Sequence, residues 1–383
     1  MTDTVQPLVT GAGPVTADPV PFLDLVAQQL EVIDDVRGDI EAILRHADFI
    51  GGSHVAAFET AFAAYSGVTQ CVGVGNGTDA LELALRALGI GDDREVLVPA
   101  NSFIATAEAV VRAGARVRFA DVDDATLLLD GPSVERSITT ETAAVIAVDL
   151  YGQAAPLEQI TLAAERNGAV VIEDAAQTQG ATRFGRPAGS LARVAGTSFY
   201  PGKNLGGAGD GGAVLTSDDD LAERVRIIAS HGSAQKYVHD EMGFNSRLDA
   251  IQAVVLLAKL ARLDAWNEAR RAAAVRYADL LGDIAGVRCP ATLAGTVHNW
   301  HLYTVRVPDR DRILAGLRAE GIGAALHYPT PIHLTGAFRF LGLGRGDFPV
   351  AEQAAAELLS LPMSPHLTEA QQARVVDTLK RLV

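Results

Sequence analysis

Cysteine is nearly absent from this chain of 383 residues, and no long apolar run occurs in it. Two cysteines are too few for a disulfide framework, so Cys71 and Cys289 are expected to be reduced and buried. No apolar stretch reaches the roughly 20 residues that a transmembrane helix needs. The N-terminal segment lacks the basic-then-apolar order of a signal peptide. We therefore expect a cytoplasmic protein with no membrane partner and a flexible tail over residues 1–19.

Basic residues are fewer than acidic ones. The chain has 32 Lys and Arg residues and 47 Asp and Glu residues, which give a formal charge of −15. A protein that binds nucleic acid needs a basic face for the phosphates. The composition therefore excludes nucleic acid as a partner. An acidic surface mainly favours solubility.

Lysine is the rarest source of that positive charge, with four residues in the chain, and the first of them is Lys203. It lies in the glycine-rich run Ser198–Gly207. Burial readily lowers the pKa of a lysine, whereas arginine keeps its proton, so only lysine can act as a neutral amine nucleophile. Lys203 is therefore a candidate for forming a Schiff base. The alternative is an ordinary surface lysine.

Short apolar strands alternate with helical stretches between residues 70 and 216. This alternation predicts a mostly parallel sheet with helices on both faces. The predicted strands are Cys71–Val74, Glu95–Val98, Arg116–Ala120, Ala144–Asp149, Ala169–Glu173, Thr197–Tyr200 and Gly212–Thr216; the predicted helices are Thr78–Leu88, Ser102–Arg112, 156–167 and 218–230.

The pattern changes in the last third of the chain. Arg247 to Leu281 has the apolar spacing of one or two long helices. Beyond them we expect a strand at His301–Val307, a helix at Arg310–Glu320, a strand at Ile322–His327 and two C-terminal helices. These elements predict a smaller α+β domain over residues 284–383, after a large domain over residues 20–283.

Polar residues follow two of the predicted strands, and ligands of open α/β sheets bind beyond the carboxyl ends of their strands. Gly75-Asn76-Gly77-Thr78-Asp79 precedes a helix and could hold a phosphate group on exposed N–H groups; Asn, Thr and Asp also simply cap helices. Glu173 and Asp174 stand at the end of another predicted strand. They could bind a cation, cap a neighbouring element or form a purely structural pair. A metal site there is the weaker interpretation, because no His or Cys stands nearby in the sequence.

Three features in this order suit pyridoxal phosphate: an anion site, a strand-end carboxylate and a later lysine. The carboxylate would keep the ring nitrogen of the cofactor protonated, since a nearby opposite charge raises the pKa of a cation. A nucleotide-binding P-loop is excluded. Five residues separate Gly196 from Gly202 where that motif has four, and Asn204 replaces its Ser or Thr.

The chain resembles the DegT/DnrJ/EryC1/StrS family of sugar aminotransferases from Val20 onward. The resemblance lies in five ordered motifs, which are Gly75–Leu81, Pro99–Thr106, Glu173–Gln177, Ser198–Gly212 and Gly243–Asp249. It implies an α/β large domain of the fold type I, aspartate-aminotransferase-like class, with a mostly parallel seven-stranded sheet, and the smaller C-terminal α+β domain. It also implies pyridoxal 5′-phosphate as cofactor and no metal.

The resemblance assigns a role to each cofactor residue. Lys203 would be the catalytic residue, attaching the cofactor and then moving a proton. Asp174 would pair with the ring nitrogen, Gln177 would bond the ring hydroxyl, and Phe103 would stack on the ring. The phosphate would be bound by Gly77, Thr78, Ser198 and, from the other subunit, Asn245. Such a shared site implies a homodimer as the catalytic unit. Phe103 also has the alternative of a core residue at a helix start.

The substrates implied by the resemblance are a nucleotide-linked keto-sugar and L-glutamate as amino donor. The expected substrate contacts are Tyr200, Lys236, Tyr237, Arg247, His327, Tyr328 and His333. His231–Tyr237 is similar to relatives that aminate C3 of dTDP-linked 3-keto-6-deoxyhexoses, in deoxysugar pathways that often lead to antibiotics. Four alternatives stay open: amination at C4, a desulfurase or lyase of the same fold type, a regulatory member without turnover, and a nucleotide-binding module without covalent chemistry.

Overall fold

The structure is a computed structural model that describes residues 18–383. The tail expected over residues 1–19 lies outside the described residues, apart from the exposed Asp18 and Pro19. The strands are β1 Gln70–Val74, β2 Glu95–Pro99, β3 Arg116–Ala120, β4 Thr142–Val148, β5 Val170–Asp174, β6 Thr182–Arg183, β7 Arg186–Pro187, β8 Val194–Ser198, β9 Gly212–Thr216, β10 Thr296–Val297, β11 Tyr303–Arg306 and β12 Leu358–Leu361.

The α-helices are α1 Leu25–Leu30, α2 Ile33–His46, α3 Gly52–Ser66, α4 Gly77–Ala87, α5 Ala105–Arg112, α6 Gly131–Ser137, α7 Leu157–Glu165, α8 Asp219–Ala229, α9 Ala250–Leu260, α10 Leu263–Leu281, α11 Arg310–Ala319, α12 Pro349–Glu357 and α13 Glu369–Leu382. Short 3-10 turns occupy Leu150–Gly152, Ile332–Leu334 and Gly336–Leu341. None of the helices described between residues 18 and 383 has the length and apolar character needed to cross a membrane.

The central sheet has seven strands in the order β1-β9-β8-β5-β4-β2-β3, and β9 runs in the direction opposite to the other six. The expected mostly parallel seven-stranded sheet is therefore confirmed. The largest shift in a strand's bounds is at β8, where the predicted Thr197–Tyr200 is Val194–Ser198. The chain turns after Ser198, since Lys203 N–H donates to the Tyr200 carbonyl at 2.8 Å.

Helices cover both faces of this sheet. Along β2, Val96 and Val98 pack into one apolar cluster with α4, α5 and α8, while Leu97 between them packs into another with α7. Alternate residues of a strand point to opposite faces. Because both faces are buried, the central strand β4 is almost continuously apolar, whereas β3 at the edge of the sheet alternates Arg116 and Arg118 with apolar residues.

The region predicted as one or two long helices forms two, α9 and α10, separated at Ala261 and Arg262. Beyond it, β11 pairs antiparallel with β12, a strand that the sequence patterns did not predict. The strand predicted at Ile322–His327 does not form. That segment makes only single-residue bridges, Ile322 with Val20 and Ala325 with Ser360, because it divides its pairing between two partners.

Apolar contacts connect the two halves of the chain. One cluster gathers Tyr277 of α10 with residues of α11, α13, β11 and β12, and it includes Val20 from the start of the described chain. The large cluster over the sheet extends to Ile332, Phe338 and Ala351. The division at residues 283/284 stays a prediction. This packing places the segment around residue 327 against the carboxyl edge of the sheet.

Candidate active site

The N-terminus of α4 lies at the carboxyl edge of the sheet, beside the end of β8. Asn76 caps the helix, its Oδ1 accepting the Asp79 N–H at 2.8 Å. A Cβ on Gly77 would lie 2.7 Å from Cβ of Ser198, so Gly77 leaves the first turn of α4 directly against that serine. Unpaired N–H groups and the helix dipole make such a terminus favourable for an anion. Gly77, Thr78 and Ser198 are therefore brought together.

Asp174 closes β5 with a buried carboxylate. Its Oδ2 accepts the hydroxyl of Thr106 at 2.8 Å, and its Oδ1 accepts the Ala176 N–H at 3.2 Å. Burial raises the pKa of Asp174, while these two hydrogen bonds and the charge of Lys203 act in the opposite direction. The carboxylate is thus held by donors in an environment that otherwise disfavours its charge.

Lys203 stands in the turn after β8, partly buried and near Asp174. Burial lowers the pKa of its ammonium group to about 8, against the attraction of Asp174, which raises it. The turn is fixed by the Gly207 N–H, which donates to the Phe199 carbonyl at 2.8 Å. An amine with this pKa carries a large neutral fraction in mildly alkaline solution.

Gln177, Tyr328, Phe103 and His327 surround these groups. Gln177 Nε2 donates to the Tyr328 hydroxyl at 3.3 Å, and the Tyr328 ring lies 5.5 Å from that of Phe103. Phe103 is half exposed, so it is not the core residue that the alternative interpretation predicted. His327 Nδ1 lies 2.8 Å from Ser360 Oγ, and burial together with the charge of Lys203 lowers the pKa of His327 to about 4.

Several predicted substrate residues are not joined to this group by contacts in the described part of the chain. His333 is buried, its Nε2 3.2 Å from Glu352 Oε1, and its ring packs on Phe348. An exposed loop carries Lys236 over the Tyr237 ring at 5.1 Å. Their roles stay predictions. Arg247 and the predicted phosphate residue Asn245 are also exposed and apart from these contacts. The Tyr200 side chain is exposed, but its backbone N–H donates to Ser198 Oγ at 3.3 Å and its carbonyl accepts the Lys203 N–H.

Glu173 precedes Asp174 but faces the other side of the sheet. Its two carboxylate oxygens accept the N–H groups of Gly189 and Leu191 at 2.6 and 2.9 Å. It also lies beside Asp149, whose pKa burial raises well above its usual range. Of the two acids that end β5, Glu173 holds a neighbouring loop and Asp174 reaches the site. No group of three or more potential metal ligands occurs among residues 18–383.

Sequence reasoning missed further residues of this region. Thr106 holds Asp174, and Tyr151 donates its N–H to Gln177 Oε1 and its hydroxyl to the His327 carbonyl. Tyr151 follows β4 at the same edge of the sheet, so the strand-end rule could have found it. Its left-handed backbone, with φ of 62°, is an uncommon conformation for such a residue.

Comparison with known proteins agrees with this arrangement. A model of the DegT/DnrJ/EryC1/StrS aminotransferase family matches residues 31–380. A pleiotropic regulatory protein of Geobacillus stearothermophilus is 45% identical over 362 residues, which cover 94% of this chain and 97% of that protein. The dTDP-3-amino-3,4,6-trideoxy-alpha-D-glucose transaminase of Streptomyces venezuelae is 44% identical over 361 residues, covering 94% of this chain and 95% of the relative.

A solved structure is similar over the same length. The crystal structure of S. venezuelae DesV, described in complex with a ketimine intermediate, superposes with a TM-score of 0.93 at 43% identity and covers 95% of this chain and 98% of its own. Since the family match spans nearly the whole sequence and includes the strand-end residues described above, the chain belongs to the DegT/DnrJ/EryC1/StrS aminotransferase family.

Proposed function

We propose that this pyridoxal phosphate-dependent transaminase transfers the amino group of L-glutamate to C3 of a dTDP-linked keto-6-deoxysugar. The observation that carries the proposal is the pairing of Lys203, whose pKa burial lowers to about 8, with the buried carboxylate of Asp174. A lysine that loses its proton near neutrality, beside a fixed carboxylate, is what amine transfer through pyridoxal phosphate requires.

The residues present fit the cofactor. A Cβ at position 77 would fill the space between α4 and Ser198. Because Gly77 has none, the N-terminus of α4 is open next to Ser198 for a phosphate group. Asp174 would face the ring nitrogen, Gln177 the ring hydroxyl, and the half-exposed Phe103 the ring face. When bound, the cofactor supplies an electron sink for the carbon that carries the amino group.

The chain's own residues then account for the proton transfers. Neutral Lys203 Nζ would take the proton from the α-carbon of the donor and pass it to C4′ of the cofactor. In the second half of the cycle it would take a proton from C4′ and deliver it to the sugar carbon. Asp174 stays ionised because the Thr106 hydroxyl and the Ala176 N–H bond its two oxygens. Asp174 is buried and Lys203 partly buried, and a surrounding of lower polarity than water strengthens their electrostatic interaction.

The catalytic unit we propose is a homodimer with shared active sites, to which Asn245 contributes across the interface. Asn245 is exposed in the single chain and makes only a backbone bridge to Ser230. Large apolar side chains are also exposed at Leu44, Phe49 and Ile50, where a second copy could cover them.

The nucleotide diphosphate needs cationic and aromatic contacts despite the acidic composition. Lys236, Tyr237 and Arg247 are exposed and free to reach a ligand. Charge-assisted hydrogen bonds from such side chains are the strong contacts to phosphate. Amination at C3 is supported by the His231–Tyr237 segment and by the S. venezuelae relative, which is named as a dTDP-3-amino-3,4,6-trideoxy-alpha-D-glucose transaminase.

A substrate panel tests the proposal. Purified protein is mixed with L-glutamate and dTDP- or UDP-linked 3-keto and 4-keto sugars, 2-oxoglutarate is measured, and NMR of the product locates the new amine. We expect turnover with a dTDP-linked 3-keto-6-deoxysugar. A product with the amine at C4 would favour the alternative of a C4 aminotransferase. Turnover only with a different amino donor would refute the role of glutamate.

A regulatory role is the second candidate, since a 45% identical relative carries the name of a pleiotropic regulatory protein. The two candidates differ in the response to glutamate alone. A transaminase converts its cofactor to the amine form, which changes the visible absorbance. Binding of pyridoxal phosphate with no such change, for any amino donor, would favour regulation.

A further inference from the structure

Behind Lys203 lies a cluster of four buried polar side chains, namely Asn204, Asn267, Asn299 and His301. Each is at most 6% exposed, and they come from the Lys203 turn, from α10 and from the segment before β11. Buried polar groups destabilise a protein unless each finds a hydrogen-bond partner. The partners of these four residues therefore show what the cluster does.

The orientation of each amide is fixed by backbone groups, which have a single role as donor or acceptor. Asn299 Nδ2 donates to the carbonyls of Gln177 and Gln179, both at 3.0 Å, so its Oδ1 accepts the His301 N–H. Asn267 Nδ2 donates to the Gln179 carbonyl at 2.9 Å, so its Oδ1 is also an acceptor.

Asn204 completes the set directly after Lys203. Its Nδ2 donates to Asn267 Oδ1 at 2.8 Å and to the Asn299 carbonyl at 3.0 Å. Its Oδ1 is therefore the acceptor of His301 Nδ1 at 3.1 Å, which fixes the proton of a neutral imidazole on Nδ1. In each of the three asparagines the amide nitrogen donates and the amide oxygen accepts a hydrogen bond. Exchanging the two atoms would leave the backbone carbonyls of the cluster without a donor.

The cluster reaches three segments of the candidate active site. Asn204 adjoins Lys203, and Asn299 holds the carbonyl of Gln177. Gln179, whose carbonyl Asn267 bonds, donates its own Nε2 to the Ser198 carbonyl at 3.0 Å. Hydrogen bonds through this cluster thus connect three places: the turn that carries Lys203, the turn that carries Gln177, and the end of β8 at Ser198. Asn267 of α10 lies between them.

We propose that Asn204, Asn267, Asn299 and His301 are positioning residues that hold Lys203, Gln177 and Ser198 in one fixed arrangement for the cofactor. The proposal rests on the proposed function for the identity of the cofactor. The four side chains act through the backbone of their neighbours, and none of them is assigned a contact with substrate. A reactive group displaced by about 1 Å can lose about a hundredfold in rate.

Asn267→Leu is the decisive variant, because it keeps the branching and the number of heavy atoms of the side chain and removes both hydrogen bonds. Gln372→Met is the matched control. Gln372 is equally buried and makes two hydrogen bonds, donating to the Ala273 carbonyl and accepting from Arg276, but it lies on α13 away from the cluster. Both variants are expected to lower the melting temperature.

Only Asn267→Leu should change the site. We expect its dissociation constant for pyridoxal phosphate, measured by absorbance titration, to rise about tenfold, and kcat with glutamate to fall about a hundredfold. KM for the sugar nucleotide should stay within about twofold, since the cluster touches no substrate-binding side chain. Equal losses of stability with unchanged cofactor affinity and kcat in both variants would overturn the proposal.

Two further results keep the test separate from the proposed function. Cofactor affinity needs neither glutamate nor a sugar, so a wrong substrate leaves that measurement valid. If Asn267→Leu does not fold, Asn267→Ser, which retains a hydroxyl and admits a water molecule, takes its place. Wild-type cofactor affinity in a folded Asn267→Ser protein, together with wild-type kcat, would also refute the positioning role.

Discussion

Thr106 Oγ1 donates a 2.8 Å hydrogen bond to Asp174 Oδ2, and both side chains are buried. The hydroxyl comes from α5, so a helix that follows one strand holds the carboxylate at the end of another. Burial raises the pKa of Asp174, and this bond is the largest of the influences that lower it. Thr106 therefore opposes the burial that raises the pKa of Asp174 and favours its ionised form.

Thr106→Val should shift the pH dependence of the reaction. Without the hydroxyl the pKa of Asp174 rises, so the carboxylate stays protonated to a higher pH. We expect the acidic limb of the kcat/KM profile to move to higher pH. The control is Thr216→Val, which removes another buried hydroxyl, bonded to the Arg193 carbonyl. An unshifted acidic limb in Thr106→Val would show that Asp174 does not set it.

Asp174→Asn should retain some pyridoxal phosphate and lose about a hundredfold in kcat, because the ring nitrogen would no longer face a negative charge. Absorbance titration measures the binding and steady-state kinetics the rate. Glu173→Gln is the neighbouring control, since that carboxylate holds the Gly189 and Leu191 N–H groups instead. It should lower stability with little effect on kcat. Equal kinetic losses in both variants would remove the distinction between the two acids.

The strand-end residues could be found from the sequence because apolar strands and glycine-rich turns are local patterns. Asp174 and Ser198 are the last residues of β5 and β8, Gln177 and Lys203 follow these strands within five residues, and parallel strands bring their carboxyl ends to one edge. The seven strands of the sheet follow from the same alternation. Local sequence was thus sufficient wherever a backbone element alone decides the position of a side chain.

Burial and pairing between distant segments could not be predicted in this way. His333 was expected in a substrate loop, yet it lies against Glu352 inside the protein. Ile322–His327 was expected to form a strand, but β12 pairs along its length with β11, and its backbone pairs with the segment only at the Ala325–Ser360 bridge. The Asn204 cluster joins three parts of the chain whose contacts depend on the finished fold.

Lys203→Ala should abolish turnover while the protein still folds, because it removes the amine that we propose attaches the cofactor and moves the proton. Kinetics with glutamate measure the loss, and Lys380→Ala, at an exposed position of α13, is the control with unchanged activity. Borohydride reduction of the wild-type protein with pyridoxal phosphate, followed by peptide mapping, should label Lys203. A label at any other lysine, or full activity in Lys203→Ala, would refute the assignment.

Lys259 is a second lysine with a lowered pKa, which no local sequence pattern predicts. It is 6% exposed on α9 and donates to the Gly206 carbonyl at 2.8 Å, and burial lowers its pKa from 10.5 to about 8. A base whose pKa falls on folding binds its proton less readily in the folded chain. The resulting cost to stability is therefore complete below pH 8 and disappears as the pH approaches 10.5.

Lys259→Met removes that cost together with the bond to Gly206, which is worth about 1 kcal/mol at any pH. Relative to this variant, the wild-type protein should gain about 2 kcal/mol in its free energy of unfolding between pH 7 and pH 10, a value reduced for partial solvent screening. Denaturant unfolding at pH 7, 8.5 and 10 measures the difference, with Lys380→Met as the exposed control. A difference that is the same at all three pH values would mean that Lys259 keeps its proton in the folded protein.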